Sequence, residues 1–421
     1  MHILLINQCF YPDVVSTAQH TRDLACALAE RGHEVTVIAS SRGYDDPSLR
    51  FPAREFWKGI QIFRVPCLAT GKGTRWKRAL NILSFFLTAL WRLLTMPGFD
   101  VVIALTSPPL ISALAALFVR IRGGRFIFWV MDLNPDEAIA AGWLKKDSRT
   151  ARLLESVLRF SAHAANQIVV LDRFMRDRFI AKGFPAAKIV VLPPWAHSEE
   201  VHYDAVGREA FRERHGLTDK YVVMYSGNHS PCHSLKTVLD AARELADHPG
   251  VTFCFIGGGS EYPKARAFAE RHGLPNVLFL PYQRLSELSA SLSAADLHLV
   301  VMGEPFAGLV HPCKIYNVLE IGIPVLYIGP DPSHMIDIVL ANPGIPITRF
   351  GHGDTAGVVE KIMAGTLPTV PDLRMRKASH AFSAERILSC YTALVEHSLA
   401  AAEQKVAESV TIAARAAGRS R

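Results

Sequence analysis

Short runs of apolar, often β-branched residues alternate along the chain with longer segments whose apolar positions recur every three or four residues. In the N-terminal half the runs fall at 2–7 (HILLIN), 34–39 (EVTVIA), 60–65, 100–105 (DVVIAL), 125–130 (RFIFWV) and 167–171 (QIVVL). Helical patterns lie between them at 17–31, 77–95, 109–121 and 149–164. The first of these carries Leu24, Ala27 and Leu28 and stops at Gly32, where a helix C-cap glycine belongs. Apolar strands joined by amphipathic helices predict a mostly parallel sheet covered on both faces.

The pattern halts in an irregular, proline-containing stretch at 193–219 and then starts again. Strands are expected at 221–226 (YVVMYS), 251–256 (VTFCFI), 277–280, 296–301 and 324–328, with helices at 234–247, 261–272, 285–294, 313–321 and 354–364. The fold class is therefore α/β, as two tandem Rossmann-like doubly wound domains with a ligand cleft outside the carboxyl ends of their strands. The expected division is 1–194, a linker at 195–219, a second domain at 220–380, and a segment 381–421. In that last segment a helical pattern at 383–403 packs back on the first domain ahead of a flexible tail. A length of 421 residues agrees with two cores rather than one.

Composition narrows the partners. The formal net charge of +7 admits phosphorylated small molecules, anionic membranes or nucleic acid. No stacking platform or nucleic-acid motif accompanies the basic residues, so nucleic acid is set aside. The seven cysteines are scattered without a C-x-x-C pair, which predicts a reduced, cytoplasmic setting and no structural zinc. The opening MHILLINQCF reads as a buried strand rather than an export signal. Residues 101–119 hold no charge for nineteen positions, but Pro108 and Pro109 split them into a strand, a turn and a buried helix. The segment 74–96 has Trp76 and Trp91 near its ends and Lys72, Arg75, Lys77 and Arg78 at its start. Two readings stand: a helix resting on an anionic membrane at its cytoplasmic face, or one packed on the sheet with its bases reaching into water.

Phosphate chemistry separates the two halves. The loop after the first strand, NQCFYPDVVSTA, holds no glycine, the second strand ends without a carboxylate, and there is no Walker A sequence. The dinucleotide fingerprint is absent, and no bound cofactor is expected. The second half differs, because Gly227 follows its first strand and Gly257, Gly258 and Gly259 follow its second. Glycines there let a backbone approach an anion, although each could equally be a simple turn. Further on, Pro312 opens a helix with Lys314 in its first turn, where a cation opposes the helix dipole unless an anion shares the site. The competing reading is a solvated surface lysine. Asn317, one turn later on the same face, is placed to bond a ribose.

Together the segments YSGN, FIGGGSE, AADLHLVV and HPCKIYNVLEIGIPVL resemble the nucleotide-sugar domain of retaining GT-B glycosyltransferases of family 4. In the first half ALAERGHEVTVIAS is similar to their N-terminal domain, and MDLNPDEA (131–138) to a D-x-x-P-D/E segment of transferases that build bacterial surface polysaccharides. The chain departs from the family in two places. Leu309 and Asn317 stand where most members carry an E-x7-E glutamate pair, and Asn228, His229 and His233 stand where they carry an arginine and a lysine.

The resemblance implies transfer of a sugar from a nucleotide diphosphate, UDP-linked, to a polyprenyl-diphosphate-linked saccharide, with retention and without a metal. No two aspartates are separated by a single position, so the metal-binding D-x-D of other transferases is missing. Asp132, His229 and Lys314 are then the catalytic candidates. Gly227, Asn228, His233, Gly257 to Gly259, Glu304, His311, Pro312, Cys313 and Asn317 are candidates for the nucleotide sugar, and His20 and Asp136 for the acceptor side. Asp132 could instead cap the next helix, His20 could be structural and Glu304 a solvated loop carboxylate. Two other functions share the architecture: a nonhydrolysing UDP-sugar epimerase and a noncatalytic scaffold.

Overall fold

The computed structural model describes residues 1–44, 46–68, 75–196, 201–365 and 370–396. The chain divides into two compact units: Met1–Pro193 with the C-terminal segment from Glu385, and Pro194–Ala384.

Among the described residues, the first unit's sheet contains β1 (His2–Ile6), β2 (Glu34–Ser40), β3 (Arg54–Trp57), β4 (Ile60–Val65), β5 (Val101–Ala104), β6 (Arg125–Trp129), β7 (Gln167–Val170) and β8 (Ile189–Val191). Their order is β3-β4-β2-β1-β5-β6-β7-β8, parallel throughout except for the β3–β4 hairpin. Helices cover both faces, so Ile3 to Ile6 of the central strand are fully buried. The hairpin turns through Lys58 and Gly59, both at positive φ (47° and 79°). That primed turn matches the twist of the flanking strands; a lysine at its first position hides the usual Asn-Gly signal, and β3 was not foreseen.

The second unit's sheet contains β9 (Tyr221–Asn228), β10 (Val251–Gly258), β11 (Val277–Leu280), β12 (Leu297–Val301), β13 (Val325–Ile328) and β14 (Ile347–Phe350), ordered β11-β10-β9-β12-β13-β14 and all parallel. Alternate residues of one strand feed two cores. Val223 and Tyr225 join Phe253, Phe255 and Leu299 on one face, while Val222 and Met224 join Cys254, Ile256 and Ile321 on the other. Counted from its own first strand, this order is 3-2-1-4-5-6, and the chain reverses direction across the sheet between β9 and β12. Crevices at such switch points bind ligands in open α/β sheets.

The stretch 195–219 is not a linker. It contains the helix Ala205–Arg214, whose Arg212 and Arg208 both pair with the buried Asp296, Arg212 Nη1 lying 3.0 Å from Asp296 Oδ2. That carboxylate also accepts from the Val222 amide at 2.7 Å, anchoring the helix to the start of β9. A charge-rich sequence, AVGREAFRER, masked the helix because its apolar face is short and its stability comes from an ion pair made far along the chain. The helix Ala384–Glu396 belongs to the first unit: Glu396 accepts two hydrogen bonds from Arg31, each 2.7 Å, and Tyr391 packs on Trp129 with ring centroids 4.7 Å apart. The Arg31 hydrogen bonds are the main cause of the Glu396 pKa falling to about 2, with His33 adding to them.

Candidate functional site

The glycines, Lys314 and the two histidines singled out in the second half of the sequence meet at the switch point. β9 and β10 run side by side to their ends, with Gly227 opposite Gly257 and Asn228 opposite Gly258. Gly227 and Gly257 have φ of +139° and +134°, a conformation that side chains resist. A methyl group on Gly257 would collide with the carbonyl oxygen of Gly227. One on Gly227 would sit 3.3 Å from Lys314 Cε and Nζ, so the missing side chain is what admits the lysine.

Lys314 begins the helix Lys314–Ile321, and Pro312 opens the turn by accepting from the Ile315 amide at 3.1 Å. Its ammonium lies 3.4 Å from the centroid of the Tyr225 ring, sealed from solvent and without a hydrogen-bond partner. The solvated-lysine reading is excluded. Burial drives its pKa well below the ordinary lysine value, because a cation shut away from water with only a ring face for company is poorly stabilised. Such a group is satisfied by an anion, and the start of a helix favours one there.

The two histidines share this electrostatic setting. His229 is fully buried, with Nδ1 3.0 Å from the Gly227 carbonyl and Nε2 without a partner. Burial and then the nearby Lys314 depress its pKa to about 4. His233 directs Nδ1 to the Val301 carbonyl at 2.7 Å, and the same two causes bring it to about 3. Both rings are neutral at physiological pH, and each Nδ1 serves as the donor to its carbonyl. Asn228, at the exposed end of β9, and Gly259, where a side chain would collide with Asn228 and the His229 carbonyl, complete this edge.

Other nucleotide-side candidates separate from it. His311 is buried behind the turn: its Nε2 lies 2.7 Å from Tyr316 Oη, which lies 3.0 Å from His334 Nε2. These contacts tie it to the loop that presents Lys314. Cys313 is half-buried with its thiol donating to the His311 carbonyl at 3.5 Å. Asn317 is half-buried one turn beyond Lys314, and Glu304 is exposed in the short turn Glu304–Phe306. Tyr225 was missed, because on a strand reading YVVMYS it looks like core, which its ring also is.

The first unit offers a different edge. Asp132 follows β6, its amide 3.3 Å from Thr106 Oγ1, and burial first, then the charge of Glu137, push its pKa up to about 8. It does not cap the following helix, Asp136–Ala140, whose N-cap is Pro135 without a side-chain bond. Asp136, the other acceptor-side candidate on this edge, pairs with Lys182 at 2.8 Å, and Lys182 also pairs with Glu155. His20 is buried, with Nδ1 2.8 Å from the carbonyl of Ser16.

The helix Arg75–Leu94 buries Phe85, Ala89 and Leu93 and exposes Trp76, Leu80, Leu83, Leu87, Trp91 and Leu94, at spacings of three and four that make one stripe. Lys72 and the side chains of Arg75 and Arg78 lie outside the described residues. Among the described residues no helix is long and apolar enough to cross a membrane.

Two parallel-dominated α/β sheets, one of eight strands and one of six, each with its strands running outward from a central first strand, define the GT-B fold class. The glycosyl transferase 4-like domain model matches residues 17–195 and the glycosyl transferases group 1 model residues 207–328, and the chain belongs to this family-4 type of GT-B glycosyltransferases. Its relatives include a putative colanic acid biosynthesis glycosyl transferase, WcaI, of Escherichia coli K12, 26% identical over 335 residues, 76% of this chain and 82% of WcaI. In fold it is similar to Anabaena HepE in complex with UDP and glucose (TM-score 0.70, 15% identity, 93% of this chain and 98% of that one). It is also similar to WaaG, a glycosyltransferase involved in lipopolysaccharide biosynthesis (TM-score 0.67, 16% identity, 94% and 99%).

Proposed function

We propose that this glycosyltransferase of bacterial polysaccharide synthesis takes its sugar from a nucleotide diphosphate, UDP-linked, held by the second unit, and delivers it to a polyprenyl-diphosphate-linked saccharide. The observation that carries the reading is the sealed, unpartnered ammonium of Lys314 at a helix N-terminus over Gly227. In the transfer the bond from the sugar C1 to the diphosphate oxygen breaks, and the acceptor oxygen forms its bond to C1 on the same face. The acceptor's proton passes to the departing phosphate. Charge grows on that phosphate as the bond breaks, and a preorganised cation at a helix start stabilises it. Lys314 fills the place that a metal takes in D-x-D enzymes. Asp132, when ionised, accepts a hydrogen bond from the acceptor hydroxyl.

The exposed stripe from Trp76 to Leu94 suits an acceptor anchored in lipid: aromatic residues sit at the interface, leucines enter the acyl boundary and the preceding bases meet anionic headgroups. The test is incubation of a nucleotide-sugar panel with anionic vesicles carrying polyprenyl-diphosphate saccharides. Sugar appearing in the lipid fraction supports the reading. Isomerised donor without acceptor would establish an epimerase, and no consumption of any donor would favour the scaffold. In cosedimentation, Leu87→Glu with Trp91→Glu is expected to weaken vesicle binding at least tenfold.

A further inference from the structure

Two arginines of the first unit stand close together with no counter-ion. Arg54, on the edge strand β3, and Arg92, in the last turn of the helix Arg75–Leu94, both approach the Phe63 ring of β4. Their Cζ atoms lie 5.5 Å and 3.8 Å from its centroid. Among the described residues neither guanidinium forms an ion pair, and Arg92 Nε is buried without a hydrogen-bond partner. The neighbouring Arg64 differs, since it pairs with Glu55 at 2.7 Å. Burial first, then the charge of Arg54, draw the Arg92 pKa below the ordinary arginine value, so the fold holds two like charges together against their repulsion. A ring face stabilises a cation only in part, and an anion between the two would satisfy both.

The space for one is there. Arg54, Phe63, Leu87, Trp91 and Arg92 are among the residues lining a cavity of about 490 Å³. Its lining is of two kinds. The arginines supply charge, while Leu87 and Trp91, 57% and 72% exposed, belong to the apolar stripe of the helix. Phe56, two residues along β3 from Arg54 and so on the same face of the strand, is 77% exposed and adds to that apolar surface. A fitting ligand has an anionic head with several oxygens and a hydrocarbon chain beside it. Phosphate suits the head, because its oxygens accept from guanidinium forks two at a time.

We propose that this cavity binds the phosphate of one anionic membrane phospholipid and so fixes the first unit at a defined point on the lipid surface. This rests on the membrane contact suggested above and adds to it a single site of fixed stoichiometry beside the β3–β4 hairpin. The diphosphate of the acceptor fits the place less well. Asp132, assigned to the acceptor hydroxyl, follows β6, and β2, β1 and β5 stand between β4 and β6. Strands lie about 4.8 Å apart, so four spacings put the cavity on the order of 19 Å from the reacting hydroxyl, farther than one sugar ring reaches.

The experiment is cosedimentation of the full chain with phosphatidylcholine vesicles carrying equal charge as phosphatidylglycerol, oleate or a polyprenyl diphosphate. The parent should bind phosphatidylglycerol vesicles at least tenfold more tightly than oleate vesicles. Arg54→Gln, at an exposed position, and Arg92→Lys, which keeps the charge but loses the fork, should each bring those two affinities within twofold of each other. Leu83→Glu, in the stripe and outside the cavity lining, should weaken binding to both vesicles alike and leave the preference standing. A parent without the preference, or Arg92→Lys with it intact, would overturn the proposal in favour of diffuse charge attraction, with the membrane contact itself still standing. Tenfold tighter binding to the polyprenyl diphosphate than to phosphatidylglycerol would overturn it by giving the cavity to the acceptor. In calorimetric titrations, inorganic phosphate binding the parent as tightly as dihexanoylphosphatidylglycerol would overturn it by making this a site for a free anion. If the parent binds no vesicle, the membrane-contact reading falls as well.

Discussion

The two units repeat one scaffold and finish it in opposite ways. In each sheet the strands run outward from a central first strand, and the loops that carry chemistry leave the carboxyl ends on either side of it. At the second unit's edge the strand ends are glycines, and the charged group beside them is a lysine without a counter-ion. At the first unit's edge β1 leads into Asn7, β2 ends in Ala39 and Ser40, and the charged group is Asp132, whose carboxyl holds its proton up to about pH 8. One edge lacks a negative charge and the other withholds one. The fold supplies the geometry, and the electrostatics of a few residues divide the labour.

The largest break in that comparison comes from the backbone. Gly257→Ala adds a side chain where the Gly227 carbonyl stands and imposes a disfavoured φ, so the second unit should lose about 3 kcal/mol of stability. The first unit carries Ala39 near the end of its corresponding strand, so thermal melting should show one transition falling and the other unmoved. A single shared transition falling as a whole would mean that the units unfold together.

The next effect is in pH. The folded pKa of Asp132 lies above its ordinary value of 3.8, so its contribution is intact below pH 4 and is lost as pH rises toward 8. Histidines 229 and 233 have folded pKa values of about 4 and 3, below their ordinary 6.5, so their contribution is present above pH 6.5 and fades as pH falls through 6 toward 4. Alkaline pH therefore burdens the first unit and mild acid the second. Asp132→Asn should raise the melting temperature at pH 8 by about 2–4 °C. It should also lower turnover roughly tenfold and remove a rise in kcat/KM near pH 8 that the parent shows. A parent profile flat from pH 7 to 9 would remove Asp132 from the chemistry.

Sequence carried the repeating β-α-β order and the anion edge a long way. Lys314 was legible because a cation in a helix's first turn is locally unfavourable, and Gly227 and Gly257 because glycine at strand ends is a local signal. What escaped depends on partners distant in the chain. Nothing near Asp136 in the sequence announces its ion pair with Lys182, and nothing near His311 announces the approach of His334. The helix Ala205–Arg214 was hidden for the same reason, since Asp296 holds its arginines.

The most direct test of the account is the affinity of nucleoside diphosphates for the parent and for Lys314→Met, read beside the melting temperature of each without ligand. The account predicts that UDP or GDP binds the parent and binds the variant roughly 100-fold more weakly, as expected for losing a charge-assisted contact to phosphate. The empty variant should melt at or above the parent temperature, because a sealed ammonium without a partner has been replaced by an apolar chain of similar length. Equal nucleotide affinity in the two proteins would contradict it.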